Sequence, residues 1–364
     1  MAYQYGEIVP YLLDWYGLNA RILAWRANPK PYYVWVSEIM LQQTRVEAVK
    51  GYFDRFITAL PDIKALAEAD EEKLLKLWEG LGYYNRVRNL QKAAQTVMQD
   101  YQGVLPADYD KLLTLPGIGT YTAGAIASIA YHIPIPVVDG NVLRVAKRLA
   151  GSFDDITKDS VKKELWQDLM QIIPQDRPGD FNQAMMELGA TVCLPNGKPH
   201  CEQCPVMHLC KAFHADTVMQ IPVKPAKKER RREDWTILLM EYQDRYLIRK
   251  RASKGLLSGL WELPGLADKL KLKELELRLK EMGISPAKLT PMGEAKHIFS
   301  HVEWHMTGYH ILLEEPEEEV LKENQLIWAD RNEINHKYSI PNAFSAYTEQ
   351  LKVNKMEDNT NYLL

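Results

Sequence analysis

All four cysteines of this 364-residue chain, Cys193, Cys201, Cys204 and Cys210, fall within eighteen residues of one another. Thiols this close in sequence meet in space, so the surrounding chain folds about one shared centre or about short crosslinks. Disulfides across so short a loop would stabilise a chain of this length very little. Zinc and a [4Fe-4S] cluster both take four thiolates. Structural zinc sites usually carry two short Cys pairs separated by a longer stretch. Here the gaps are seven, two and five residues, with a single short pair. The spacing favours the cluster over zinc.

The rest of the chain divides around this centre. Residues 1–217 read as short amphipathic helices broken by Pro and Gly, such as Asp70–Trp78, Arg86–Tyr101 and Ser160–Ile173. Residues 218–234 contain the stretch MQIPVKPAKKERRRED, with two prolines and six basic residues but almost nothing to bury, and read as a linker. From 235 to 350 the strand patterns WTILLMEY, RYLIRKR and IWA surround one helical stretch, Leu270–Met282, which reads as a smaller α+β domain. Residues 351–364 are a polar tail, and the acidic run Glu314–Glu319 reads as a solvated loop. The N-terminus has no basic stretch followed by an apolar one, so the expected location is cytoplasmic. A net charge of −3 supplies no whole-chain argument for nucleic-acid binding, which must rest on local motifs.

Three segments carry chemistry. In LPGIGTYTAGAIASIA, Leu115–Ala130, a glycine hairpin closes one helix and opens the next. Backbone amides near Gly117 and Gly119 are then placed to hold a phosphate without reading sequence. Carbonyls of Leu113–Ile118 could hold a monovalent cation. In IPIPVVDGNVLRVAKRLAG, Asp139 precedes an amphipathic helix; it reads first as a helix cap, and a carboxylate at that helix start can also face a substrate. In PYYVWVSEIMLQQTRVEAV, Glu38 is the only acid between Pro31 and Thr44, set among Trp35, Val36, Ile39, Met40 and Leu41. On an apolar helix surface its pKa would rise, as a general acid at neutral pH requires; an exposed stripe of a core helix is the alternative.

With GLGYYNRVRNL, FNQAMMELGA and the cysteines in order, these segments resemble the endonuclease III superfamily and, within it, the MutY family of adenine-specific mismatch glycosylases. The resemblance covers about residues 5–350 and implies a multidomain fold. An all-α helix-hairpin-helix glycosylase domain with an iron-sulfur region is followed by a C-terminal α+β Nudix-like domain. It also implies a monomer on double-stranded DNA, associated with the nucleoid, excising adenine opposite 8-oxoguanine or guanine from a flipped-out position. The first cysteine gap is one residue longer than the family's usual six, in a Pro/Gly loop able to absorb it.

By resemblance, Glu38 is the general acid, Asp139 faces the sugar as it becomes cationic, and Tyr121 and Asn141 hold these carboxylates. Arg26 contacts the flipped base. Gln43, Thr44, Leu81 and Tyr83 wedge into the stack or contact the opposite base, and the loop Phe299-Ser300-His301 contacts 8-oxoguanine. Strand-cutting relatives carry a lysine where this chain has Tyr121, which implies a monofunctional enzyme. The stretch ADKLKLKELELRLKEMGI lacks the paired glutamates of a working Nudix hydrolase. His297, His301 and His305 are spaced like a helical metal site but read better as a loop leading to a strand. The basic run Lys227–Arg232 reads as a DNA-phosphate contact or as a solvated face.

Overall fold

The computed structural model describes residues 3–225, 229–315 and 326–352. The chain divides into two compact units, Met1–Ala69 with Asn85–Lys227, and Asp70–Tyr84 with Lys228–Leu364.

The first unit is helical. Helix Pro31–Leu41 starts with Pro at its first turn, where the missing N–H costs nothing. Eight of its eleven residues are buried, so it runs through the interior rather than along the surface. Arg86 closes its C-terminal end, donating from Nη1 to the carbonyls of Ile39, Met40 and Gln42 at 2.6–3.0 Å. A second core gathers Leu12, Tyr16, Val142, Val145, Leu149, Phe181, Met185 and Leu188 around helices Val9–Asn19, Gly140–Ala150 and Pro178–Thr191.

The glycine hairpin forms as the sequence suggests. Helix Tyr109–Leu113 leads into a turn in which the Ile118 amide donates to the Leu115 carbonyl at 3.1 Å, and helix Thr120–Ala125 follows. Gly117 has φ +75°, and a Cβ there would lie 2.7 Å from the Asn89 side chain, so glycine is required on both counts. Helix Thr120–Ala125 passes into a π-turn, Ile126–Ala130. Buried Asn182 then ties the following extended segment down. Its Nδ2 donates to Ser128 Oγ and the Ile135 carbonyl, both at 2.8 Å, and its Oδ1 accepts from the Val137 amide at 3.0 Å. That segment ends at Asp139.

The second unit is built on a seven-stranded sheet: β1 (Arg231–Tyr242), β2 (Arg245–Lys250), β3 (Trp261–Glu262), β4 (Gly265–Ala267), β5 (Pro286–Ile298), β6 (Val302–Leu313) and β7 (Leu326–Asp330). The order is β3-β2-β1-β6-β5, with β4 pairing β1 and β7 pairing β2, and β1 and β6 run parallel. Helix Leu272–Glu281 packs Leu275 and Leu279 against Leu238, Met240, Tyr309 and Ile311 on one face. Tyr246, Trp261, Trp304, Phe344 and Tyr347 fill the other face.

Two boundaries differ from the sequence reading. Strand β1 begins at Arg231, so the end of the expected linker 218–234 is part of the sheet; Ala226, Lys227 and Lys228 lie outside the described residues. Helix Glu71–Leu77, expected with residues 1–217, is bonded into the second unit. Lys76 Nζ donates to the Ile334 and Tyr338 carbonyls at 3.0 and 3.1 Å. The Ile340 amide donates to Glu79 at 2.8 Å, and Lys250 Nζ and Trp261 Nε1 donate to the two carboxylate oxygens of Glu72. Most of the expected acidic loop and tail also lies outside the described residues. Among the described residues no helix is long and apolar enough to cross a membrane.

Candidate active site

A cavity of about 140 Å³ opens in the first unit, and Glu38, Tyr121, Asp139, Asn141, Arg26 and Thr44 all line it. Residues from four separate stretches of sequence are thus brought to one place. Glu38 is only 5% exposed, on the buried helix Pro31–Leu41. Burial lifts its carboxyl, and the negative charge of Asp139 adds to the rise. The hydrogen bond from Tyr121 Oη to Oε2 and the charge of Arg26 oppose it, and the balance leaves the pKa at about 7. Tyr121 itself is pushed well above the ordinary phenol range by burial and by the two carboxyls, so it acts as a donor.

Asp139 caps a helix and also lines the cavity. Its Oδ1 accepts from the Val142 amide at 2.7 Å and caps helix Gly140–Ala150, while its Oδ2 accepts from Asn141 Nδ2 at 2.8 Å at the cavity wall. Burial raises its pKa; the Val142 amide, the Asn141 side chain and Arg144 counter that rise. Donors on both oxygens suit the ionised form. Asn141 is fixed in turn by Arg144, whose Nη2 donates to Asn141 Oδ1 at 2.9 Å and to the Gly189 carbonyl at 2.7 Å. Gly189 lies so close that a Cβ would come within 2.6 Å of the Asn141 Cβ.

The sequence reading missed Arg21 and Glu187. Glu187 is buried, and its Oε1 accepts from Arg21 Nε at 2.6 Å and its Oε2 from Arg26 Nη2 at 2.7 Å. Burial works to raise its pKa, but these two cations outweigh it and bring the carboxyl down to about 2. The missed signal was available: Glu187 is the only acid from Phe181 to Ala190, as Glu38 is the only acid in its own segment.

The residues expected at the opposite base are divided between the two units. Gln43 sits in the turn after Leu41 with φ +58° and is exposed. In the second unit, Leu81 is buried, while Tyr83, with φ +49°, is 49% exposed and its hydroxyl shares a 2.9 Å hydrogen bond with Ser300 Oγ. Phe299, Ser300 and His301 form the turn between β5 and β6, with Phe299 half-buried and the other two exposed. His297 and His305 lie on β5 and β6, not on a helix, and His305 is hydrogen-bonded to Glu303 at 2.9 Å. Among the described residues no group of three or more His, Cys, Asp or Glu side chains is gathered tightly enough to hold one metal ion.

The four cysteines surround a second cavity of the first unit, about 30 Å³, closed by apolar residues that include Val145, Leu149, Val206 and Phe213. Arg148 Nη1 reaches Cys193 Sγ at 3.2 Å. The seven-residue gap folds back on itself, with the His200 amide donating to the Val192 carbonyl at 3.0 Å.

Residues 36–171 match the HhH-GPD superfamily of base excision DNA repair proteins, and residues 236–350 match the NUDIX domain family. The adenine DNA glycosylase of Mus musculus is 37% identical over 84% of this chain and 70% of its own length. That of Buchnera aphidicola subsp. Acyrthosiphon pisum is 33% identical over 97% of this chain and 99% of its own. Among solved structures, a non-covalent endonuclease III–DNA complex superposes with a TM-score of 0.50 at 27% identity, covering 58% of this chain and 97% of that one. Sequence relatives spanning both units, with a helical unit of the endonuclease III type, establish that this chain belongs to the adenine DNA glycosylase family.

Proposed function

We propose that this protein hydrolyses the N-glycosidic bond of adenine mispaired with 8-oxoguanine or guanine in duplex DNA, and leaves the strand uncut. The observation that carries this reading is the pair of carboxyls in the 140 Å³ cavity, one poised near pH 7 and one held by N–H donors on both oxygens. Environments that separate two carboxyls in this way suit one to donate a proton and the other to stabilise a cation.

Adenine leaves the sugar slowly as an anion, so a proton must reach it. With the base flipped into the cavity, protonated Glu38 donates to N7 while Tyr121 steadies its other oxygen. The C1′–N9 bond breaks, its electron pair goes to the base, and adenine departs neutral. Asp139, fixed by Val142 and Asn141, faces the positive charge on the sugar. Water adds to C1′ and gives its proton to the Glu38 carboxylate, which restores the starting state. The ionised Glu187, its side chain fully buried and both oxygens taken by Arg21 and Arg26, fixes the Arg26 guanidinium at the cavity wall. No lysine stands at position 121, so no amine is available there to attack C1′ and cut the strand.

Gly117 and Gly119 support the hairpin as a phosphate-holding turn, and a Cβ at Gly119 would meet nothing within 4 Å, so that backbone is open to approach. Four thiols around one apolar void suit a [4Fe-4S] cluster, ligated by Cys193, Cys201, Cys204 and Cys210. All four thiols belong to the 193–210 loop, so such a cluster would close that loop on itself, with Arg148 of helix Gly140–Ala150 beside Cys193. To the exposed Ser300 and His301 falls the reading of the opposite base, because 8-oxoguanine carries a donor at N7 where guanine has an acceptor and a hydroxyl can accept from the one and not the other.

Single-turnover incubation with duplexes carrying adenine opposite 8-oxoguanine, guanine and thymine, and thymine opposite guanine, followed by alkali, tests the proposal. Cleavage after alkali only, at adenine, and fastest opposite 8-oxoguanine is expected. Release of thymine, or strand scission before alkali, would overturn it.

A further inference from the structure

The basic run before β1 left two readings open, a phosphate contact or a solvated face. Its described part does something else. Arg230 Nε donates to the Phe299 carbonyl at 3.1 Å, and the Arg231 amide donates to the His301 carbonyl at 3.1 Å. The Phe299 amide closes the same turn onto the Val302 carbonyl at 2.8 Å. Two residues on, Glu233 lies beside Trp304 in the parallel β1–β6 pairing and accepts from its indole Nε1 at 2.8 Å. The Trp304 ring packs edge-on against Phe299, with centroids 4.9 Å apart, and the Arg251 guanidinium lies over the Trp304 ring, 5.6 Å from its centroid. Glu233 is itself held by Arg231 at 2.5 Å. Arg230 thus holds the Phe299 carbonyl and Glu233 holds the indole on which the Phe299 ring packs, so the turn that bears His301, and Ser300 with its hydroxyl shared with Tyr83, has little freedom of its own.

We propose that Arg230 and Glu233 are positioning residues for the 299–301 turn, which set the preference for 8-oxoguanine over guanine without touching DNA. This inference rests on the reading of Ser300 and His301 as the opposite-base reader. A hydroxyl tells an N7 donor from an N7 acceptor only if it is held at hydrogen-bond distance and angle, so a loosened turn loses discrimination before it loses adenine chemistry.

The test compares Glu233→Ala, Glu233→Gln, Arg230→Met, Trp304→Phe and the double variant Ser300→Ala/His301→Ala in the full chain. Binding and single-turnover excision are measured on adenine opposite 8-oxoguanine and opposite guanine, at several salt concentrations, with melting curves for each protein. Glu233→Ala and Trp304→Phe should each reduce the 8-oxoguanine-to-guanine preference by about tenfold, the loss of one hydrogen bond to a charged group. Arg230→Met, at an exposed site, should reduce it by about threefold, and Glu233→Gln, whose amide oxygen still accepts from the indole, should stay within about twofold of the parent. The salt dependence of binding should not change. Trp304→Phe keeps a ring against Phe299, so it decides the matter if Glu233→Ala melts early. If the double variant loses preference while Glu233→Ala, Trp304→Phe and Arg230→Met keep it, the positioning role is wrong and the reader stands. If the double variant keeps preference as well, the reader itself is wrong and the inference falls with it. Equal weakening on both duplexes in Arg230→Met, with a salt slope shallower by about one, would make Arg230 a phosphate contact instead.

Discussion

Replacing Glu38 by Gln separates the chemical role of this carboxyl from its cost to the fold. In the unfolded chain the carboxyl titrates near 4.5; in the folded protein burial, with the charge of Asp139, raises it to about 7 against the pull of Tyr121 and Arg26. A folded-state pKa above the unfolded one means that the native protein binds its proton more tightly. Glu38 is thus neutral to stability below about pH 4.5, and it destabilises progressively as pH rises to about 7. At about 1.4 kcal/mol per pH unit, the full gap amounts to about 3 kcal/mol. Gln keeps the shape and still accepts from Tyr121 but never ionises. Glu38→Gln should therefore melt with the parent near pH 4.5 and above it by about 5–10 °C at pH 8. Excision should fall at least ~10²-fold, the lower end for losing a general acid, and the parent's rate should decline as pH rises through 7. Differential scanning calorimetry across pH 4.5–8 and single-turnover kinetics are the assays. A melting difference that does not grow with pH would refute the buried, poised carboxyl, and a fully active variant would refute its role as the acid.

Asp139→Asn should lose a similar factor in excision while its stability changes by less than about 1 kcal/mol, because Asn caps a helix as well as Asp does; calorimetry and single-turnover rates separate the two. Glu187→Gln should destabilise by about 3 kcal/mol, toward the lower end for breaking a buried ion pair because Arg21 is 32% exposed. With its pKa depressed to about 2, the contribution of Glu187 is complete above about pH 4.5 and disappears as pH falls through 2, so acid melts of parent and variant should converge. Tyr121→Lys should introduce strand cleavage that borohydride traps covalently, whereas the parent should not trap. Purified protein should show a broad absorbance shoulder near ~400 nm with about four irons per chain, and stoichiometric zinc without iron would be the contrary result.

Sequence by itself carried the parts of this protein that depend on local pattern. Four thiols in eighteen residues line one cavity and the glycine hairpin announced its own turn, whereas the lone Glu among apolar helix residues left burial and an exposed stripe both open until the fold buried it. The cap at Asp139 was legible for the same reason, since capping is satisfied within three residues. Strands β5 and β6 were not assigned in full, because β5, with Pro286 and Pro291 and mostly exposed side chains, shows no alternation. Tertiary structure alone decided what depends on partners far along the chain. Glu38 and Glu187 look alike in sequence, each the sole acid of an apolar segment, yet one titrates near 7 and the other near 2. Two arginines more than 160 residues away from Glu187 make that difference, and no periodicity records them. Helix Glu71–Leu77 joins the second unit through Lys76, Glu72 and Glu79, whose partners lie up to 262 residues away. The basic run, read alone, is only charge; hydrogen bonds to Phe299 and His301 make it a brace, because a backbone carbonyl can be presented by any residue and leaves no mark in the sequence.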